Sequence, residues 1–338
     1  MKRVLAVRQD NNGDVLLTGP ALRAIATEAR VSLLCSPRGA GAARLLPGVS
    51  DVMVWEAAWI DADPKPVSAD DVGAFVADVR SRSFDEAVIF TSFHQSPLPT
   101  ALLLRMATVP RVGAISIDYP GSLLDVRHLV HDDMHEVERA LSLAKAMRYA
   151  LPPGDDGRLA ISDVPAETKL GASGYVVVHP GATVPARAWS PERNAELVRR
   201  LLSEGHDVVV TGSACERSLT SYVAGQNCRA VDLGGETTFA EFAAIVRDAS
   251  VVVTGNTSAA HVAAATQTPV VSIFPPTIPA LRFRPWMVEH VLLGDQEAPC
   301  AGCRARVCPI EGQPCLSGVT ADIVASVVRR YIRDKEVA

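Results

Sequence analysis

Between Ala249 and Phe274 an apolar β-branched run leads into Gly255-Asn256-Thr257-Ser258-Ala259-Ala260-His261, then into an Ala-rich helix and a second apolar run from Pro269. Strand, tight small-residue turn, helix and strand, in that order, aim unpaired backbone N–H groups and the positive helix end at an anion, usually a phosphate. Gly255 lets the chain turn, and Ser258 and Ala259 leave room for a diphosphate close to the backbone. The spacing is not G-x-G-x-x-G, so a dinucleotide dehydrogenase is not the natural reading. Close packing of a helix on a strand uses the same small residues, and both explanations stand for this turn taken alone.

Other strand ends carry groups fit for chemistry. In Arg8-Gln9-Asp10-Asn11-Asn12-Gly13-Asp14, the Asp14 carboxylate sits near a helix start that keeps it ionised, ready to take a proton or simply to cap. His179-Pro180-Gly181-Ala182-Thr183 ends a strand, and Arg187-Ala188-Trp189 precedes a helix, so Arg187 can pair with a phosphate or stand as a solvated loop charge. Thr211-Gly212-Ser213 precedes Glu216, suited to a ribose hydroxyl or to the surface of a helix. His94, after the expected strand Glu86–Phe90, can orient an acceptor, serve as an alternative base, or be structural.

Of the seven cysteines, Cys35, Cys215 and Cys228 are scattered and read as small hydrophobes. Cys300, Cys303, Cys308 and Cys315 follow C-x2-C-x4-C-x6-C, a spacing that can close a structural zinc site, or form a loop stapled by one disulfide or by nothing. None of these options suggests catalysis.

These groups need a frame to hold them. At 338 residues and 48% hydrophobic the chain can bury two ordinary cores, and a net charge of −5 argues against a broad nucleic-acid face. The apolar stretch at Val4–Val7 ends at Arg8, too short for a signal sequence or a span. The expectation is a soluble cytoplasmic protein, with membrane association at most peripheral.

Strand and helix signals alternate. Strands are expected at Val4–Val7, Val31–Cys35, Val52–Trp55, Glu86–Phe90 and Arg111–Ala114. Helices are expected at Pro20–Glu28 (or from Leu16), Val72–Arg80 and Pro99–Ala107. Val137, Leu141, Ala144 and Met147, near 3.6-residue spacing, predict one long helix over Arg127–Tyr149. Leu151-Pro152-Pro153-Gly154-Asp155-Asp156-Gly157 is a turn-rich break, placing a linker at 151–173 between an N-terminal domain 1–150 and a C-terminal domain 174–319. The βα alternation then restarts at Tyr175. Segment 320–338 is read as a C-terminal helix able to pack back on the N-terminal domain. Alternating βα units in both halves predict an α/β protein of two doubly wound parallel sheets around one cleft, with ligands beyond the carboxyl ends of the strands.

Taken together, the motifs resemble those of the heptosyltransferase-type glycosyltransferases of family 9, over nearly the whole chain. The resemblance rests on Gly13-Asp14-Val15-Leu16-Leu17-Thr18-Gly19-Pro20-Ala21-Leu22 and on His179-Pro180-Gly181-Ala182 followed by Arg187-Ala188-Trp189. It continues through Val210-Thr211-Gly212, Asp232-Leu233-Gly234-Gly235, Gly255-Asn256-Thr257 with His261, and Thr268-Pro269-Val270-Val271. It implies a GT-B fold with an N-terminal acceptor domain and a C-terminal nucleotide-sugar domain. It also implies an ADP-sugar donor, usually ADP-heptose, and inverting transfer to a glycan or small-molecule hydroxyl without a divalent metal or other cofactor.

On this resemblance Asp14 is the general base, with His94 as a second catalytic candidate. The donor would be held by His179, Pro180, Gly181, Arg187, Gly212, Ser213, Glu216, Leu233, Asn256, Thr257, Ser258, Ala259 and His261. Arg187, Thr257, Ser258 and Ala259 face its phosphates, and Glu216 its ribose. Asn256 stands where many members have Asp, and Ser258 where many have Gly; these departures bear on the sugar more than on the nucleotide. A nucleotide-sugar epimerase or hydrolase, and a catalytically silent nucleotide-sugar-binding protein, use the same frame.

Overall fold

The computed structural model describes residues 1–61, 64–131, 134–225 and 229–337; Cys228 lies outside the described residues. The chain divides into two compact units, Met1–Ser162 and Asp163–Ala338, with the division falling inside the expected linker.

The first unit is a six-stranded sheet of β1 (Lys2–Arg8), β2 (Ala29–Cys35), β3 (Val49–Val54), β4 (Glu86–Ile89), β5 (Arg111–Ile115) and β6 (Val126–His128). All neighbours pair in parallel, in the order β3-β2-β1-β4-β5-β6. β1 and β4 sit at the centre, which is why Val4, Leu5, Ala6 and Val7, like Ala87, Val88 and Ile89, are apolar without alternation and buried on both faces. The second unit has β7 (Val176–His179), β8 (Val208–Val210), β9 (Ala230–Asp232), β10 (Val251–Gly255), β11 (Val270–Ile273) and β12 (His290–Leu293), in the order β12-β11-β10-β7-β8-β9. Both sheets therefore have the same doubly wound topology. In each, strand order reverses beside the first strand: between β1 and β4, and between β7 and β10. Loops leaving neighbouring strands on opposite faces open a crevice there, where ligands of such sheets bind.

Two elements differ from expectation. The first helix runs Asn12–Ala26, so Pro20 lies inside it and Asp14 falls in its first turn. No single helix covers Arg127–Tyr149: Val126–His128 is extended and pairs with β5, and the helix is Glu136–Ala146. The helical spacing holds only from Val137 onward, and His135 starts that helix by accepting the Val137 N–H at 3.2 Å. Finally, the helix Ala321–Val337 buries Val324, Ala325, Val328 and Tyr331 in the second unit's own core, beside Leu197 and Leu201 of the helix Pro191–Ser203. Its apolar stripe serves its own unit. Among the described residues no helix is long and apolar enough to cross a membrane.

Candidate active site

The first unit's switch point is built on charge. Arg8 ends β1 with its side chain only 4% exposed, and its Nη2 donates to Asp14 Oδ1 (3.1 Å) and to Ser92 Oγ (3.0 Å). Its Nε lies 2.8 Å from Asp10 Oδ2, an ion pair outside hydrogen-bond angles, and its Nη1 is 3.8 Å from Glu136 Oε2. Burial opposes the guanidinium charge, but Asp10, Asp14 and Glu136 outweigh it and raise the Arg8 pKa further. For Asp10 the balance is reversed: burial and the neighbouring Asp14 raise its pKa against the pull of Arg8. Asp10 and Asp14 thus share one guanidinium, and burial presses the more enclosed Asp10 toward its protonated form.

Asp14 is not the helix cap. Asn11 holds that position, while the Asp14 carboxylate turns to Arg8 and stays partly accessible, its side chain 21% exposed. His94 is exposed and lies edge-on to Phe93 at 5.1 Å between centroids. Besides Ser92, the loop hydrogen-bonds to the network through Gln95, whose Nε2 donates to Asp10 Oδ1 at 2.6 Å. Arg8 and Glu136 were not expected in this site. An arginine closing an otherwise apolar central strand, six residues before Asp14, is the signal for the first; Glu136 carries no comparable signal.

The second unit's switch point is built on small residues and backbone. One cavity is lined by His179, Pro180, Gly181, Arg187, Trp189 and Gly255, among others. Arg187 ends a short turn, Pro185–Arg187, and its carbonyl lies over the end of β10: a Cβ on Gly255 would meet it at 3.2 Å. From Gly255 the chain passes Asn256 to Thr257, the N-cap of the helix Ser258–Thr266. Thr257 Oγ1 accepts the Ala259 N–H at 3.3 Å and lies 3.0 Å from Thr254 Oγ1. The helix thus opens at Ser258, earlier than its Ala-rich stretch suggests, three residues after the cavity-lining Gly255.

Glu216 lies against Gly181, where a Cβ would meet its Oε1 at 2.0 Å. Its Oε2 accepts from Ser213 N–H (2.8 Å) and Ser213 Oγ (2.6 Å), so the same carboxylate caps its own short helix. His179 Nδ1 is 3.0 Å from Thr211 Oγ1, and burial pushes its pKa down. Leu233 closes the next strand end, its N–H donating to Val210 O at 2.9 Å beside Gly212 and Gly234. His261 is 3% exposed, its Nδ1 has no hydrogen-bond partner, and burial lowers its pKa to about 4. It is a packed neutral imidazole in the helix Ser258–Thr266.

The six described cysteines, Cys300, Cys303, Cys308 and Cys315 among them, are free thiols. Burial, then the nearby Cys300, Cys308 and Cys303, push the Cys315 thiol up. Among the described residues no three His, Cys, Asp or Glu side chains converge as metal ligands, so the zinc reading of this segment does not fit.

Two Rossmann-like units, each with polar groups gathered at its switch point, define the GT-B class of α/β proteins. The chain belongs to glycosyltransferase family 9 (heptosyltransferase), which it matches over residues 73–313. It is 32% identical over 106 residues to lipopolysaccharide heptosyltransferase 2 of Salmonella typhimurium, covering 30% of each chain. It is also 32% identical over 178 residues to lipopolysaccharide heptosyltransferase 1 of Pseudomonas aeruginosa, covering 52% of this chain and 48% of that one. The aligned part therefore spans half or less of these curated relatives. Among solved structures, the fold is shared with E. coli ADP-heptose LPS heptosyltransferase II (TM-score 0.75, 20% identity, 99% of this chain and 100% of that one). It is likewise shared with E. coli heptosyltransferase WaaC bound to ADP-2-deoxy-2-fluoro heptose (TM-score 0.72, 21% identity, 97% and 99%).

Proposed function

We propose that this protein is an inverting, metal-independent glycosyltransferase that moves a heptose from ADP-heptose to a hydroxyl of a glycan or small-molecule acceptor. The observation that carries the reading is the Arg187 turn resting on Gly255, which sets a guanidinium-bearing residue beside a helix N-terminus at a topological switch point. Arg187 and the helix-end N–H of Ser258 hold the diphosphate and stabilise it as it leaves, with small Ala259, whose N–H is given to Thr257 Oγ1, leaving room beside the backbone. Glu216 Oε1 accepts from the ribose, and Asn256 faces the sugar.

Asp14, held by Arg8 at 3.1 Å, takes the proton of the acceptor hydroxyl as its oxygen attacks the anomeric carbon. The carbon–oxygen bond to the diphosphate breaks in the same displacement, and ADP leaves with the electron pair. The names of the relatives support ADP-heptose as donor and a lipopolysaccharide-type sugar as acceptor class. Action on the cytoplasmic side of a membrane fits a water-borne donor of this kind.

Thermal shift with ADP, UDP and GDP, followed by mass spectrometry of reactions with ADP-heptose, tests the proposal. ADP is expected to raise the melting temperature; a ligand at 100 times its dissociation constant adds about 2.7 kcal/mol to the folded state. Arg187→Ala should weaken that shift without unfolding the chain. A shift with UDP but not ADP refutes the donor, and conversion of ADP-heptose without any acceptor points instead to a hydrolase or epimerase.

A further inference from the structure

The cysteine-rich segment between β12 and the last helix has no catalytic part in this scheme, yet it is tied to the loops that do. It carries no regular element beyond the short helix Pro314–Ser317, so its course is set by individual hydrogen bonds. Gly302 N–H donates to Pro276 O (2.7 Å) and Arg304 N–H to Thr277 O (2.9 Å), which fastens one end to the loop leaving β11. The other ties go to the turn that bears Arg187. Ala186 is 3% exposed, and both its backbone polar groups are taken by this one segment: its N–H donates to Arg306 O (3.0 Å), and its carbonyl accepts from Gln313 Nε2 (2.8 Å).

We propose that Gln313 is a positioning residue for Arg187: through Ala186 it fixes the turn that carries the donor-binding guanidinium over Gly255. Gln313 has φ 47°, in the left-handed region that favours glycine. A glutamine kept there at a backbone cost has a use for its side chain, and its amide reaches the carbonyl directly before Arg187. That carbonyl is buried, so losing its donor leaves it unsatisfied and frees the turn to move. The Arg187 carbonyl packs so closely on Gly255 that a small shift of the turn moves the guanidinium relative to the helix N-terminus. The segment thereby acts as a strap on the donor site.

This rests on the reading of Arg187 as a donor-phosphate contact, and the experiment separates the two. Gln313→Gly in the full chain removes the amide while suiting the backbone, so the fold is not at risk. The expected result is a rise of about tenfold in donor KM and in the calorimetric Kd for ADP, with kcat at saturating donor within about twofold, in line with one lost hydrogen bond. The melting temperature should change little, since relief of the left-handed strain offsets the lost hydrogen bond. In an Arg187→Ala background the same change should add less than about twofold, because the two residues act through one contact. An unchanged donor KM in Gln313→Gly, while Arg187→Ala weakens ADP, overturns the strap alone, and so does full additivity of the two changes. Unchanged ADP affinity in Arg187→Ala overturns the phosphate reading and the strap with it.

Discussion

The two units share one strand order and fill their switch points in opposite ways. In the first, charged side chains are drawn in around Arg8: Asp10, Asp14 and Glu136, with Gln95 and Ser92 completing the set. In the second, the corresponding crevice holds Gly181 and Gly255, with Gly212 and Gly234 at the neighbouring strand ends and backbone groups in place of most of the charge. Its buried histidines are pushed toward the neutral form. Topology decides where a site lies; filling decides what it does. A cradle of amides offers fixed partial charges that do not titrate, whereas a cluster of carboxylates consists of groups that can take up a proton.

The sharpest way to break this contrast is Asp14→Asn. The amide keeps the shape but cannot take the proton, so transfer should fall by about 10²–10⁴-fold while ADP affinity, a property of the other unit, stays within about twofold. Steady-state kinetics with saturating donor and acceptor, beside calorimetry with ADP, give both numbers. Near-wild-type turnover would remove Asp14 from the chemistry and turn attention to Asp10.

Much of this contrast is legible in the amino-acid order, and the reasons are local. Unalternating valine runs such as Val176–Val178 and Val251–Val253 announce buried parallel strands, and polar or small residues directly after them announce strand-end sites. Asp14, Arg187 and the turn from Gly255 are visible in that way. What escapes comes from distant parts of the chain. Gln313 reaches Ala186 across 127 positions, and Glu136 joins Arg8 only because its helix packs beside the first one. The expected helix over Arg127–Tyr149 failed for a related reason: pairing with β5 drew Val126–His128 into the sheet, and a local period does not register a neighbouring strand. The cysteine spacing suggested a metal because spacing alone cannot show whether four thiols converge.

A smaller effect tests the second unit. Gly181→Ala places a Cβ where Glu216 Oε1 now lies, so the carboxylate must swing away. Because the clash is with the end of a flexible side chain, the cost in stability should be at most the Ser213–Glu216 cap, about 1 kcal/mol. If Glu216 holds the ribose, donor KM should rise by roughly tenfold, the scale of one charge-assisted hydrogen bond. A drop in melting temperature with no change in donor KM would leave Glu216 as a cap and nothing more.

The smallest effect on transfer is expected at His261, where packing and donor contact give different answers. The imidazole is buried, and its pKa falls from 6.5 to about 4 because burial disfavours the charged form. Between those values the unfolded chain binds a proton that the folded chain does not. The neutral histidine therefore contributes its full stability above pH 6.5 and loses it as the pH falls toward 4, on the order of 3 kcal/mol across that window. His261→Leu keeps the apolar volume and removes the titration. Urea midpoints at pH 7 and pH 4.5 should then lie closer together in the variant than in the parent, with donor KM at neutral pH unchanged within about twofold. Should donor KM rise tenfold while the pH dependence of stability stays as it was, His261 would belong to the donor site, and the second unit would rely on side chains more than its small-residue lining suggests.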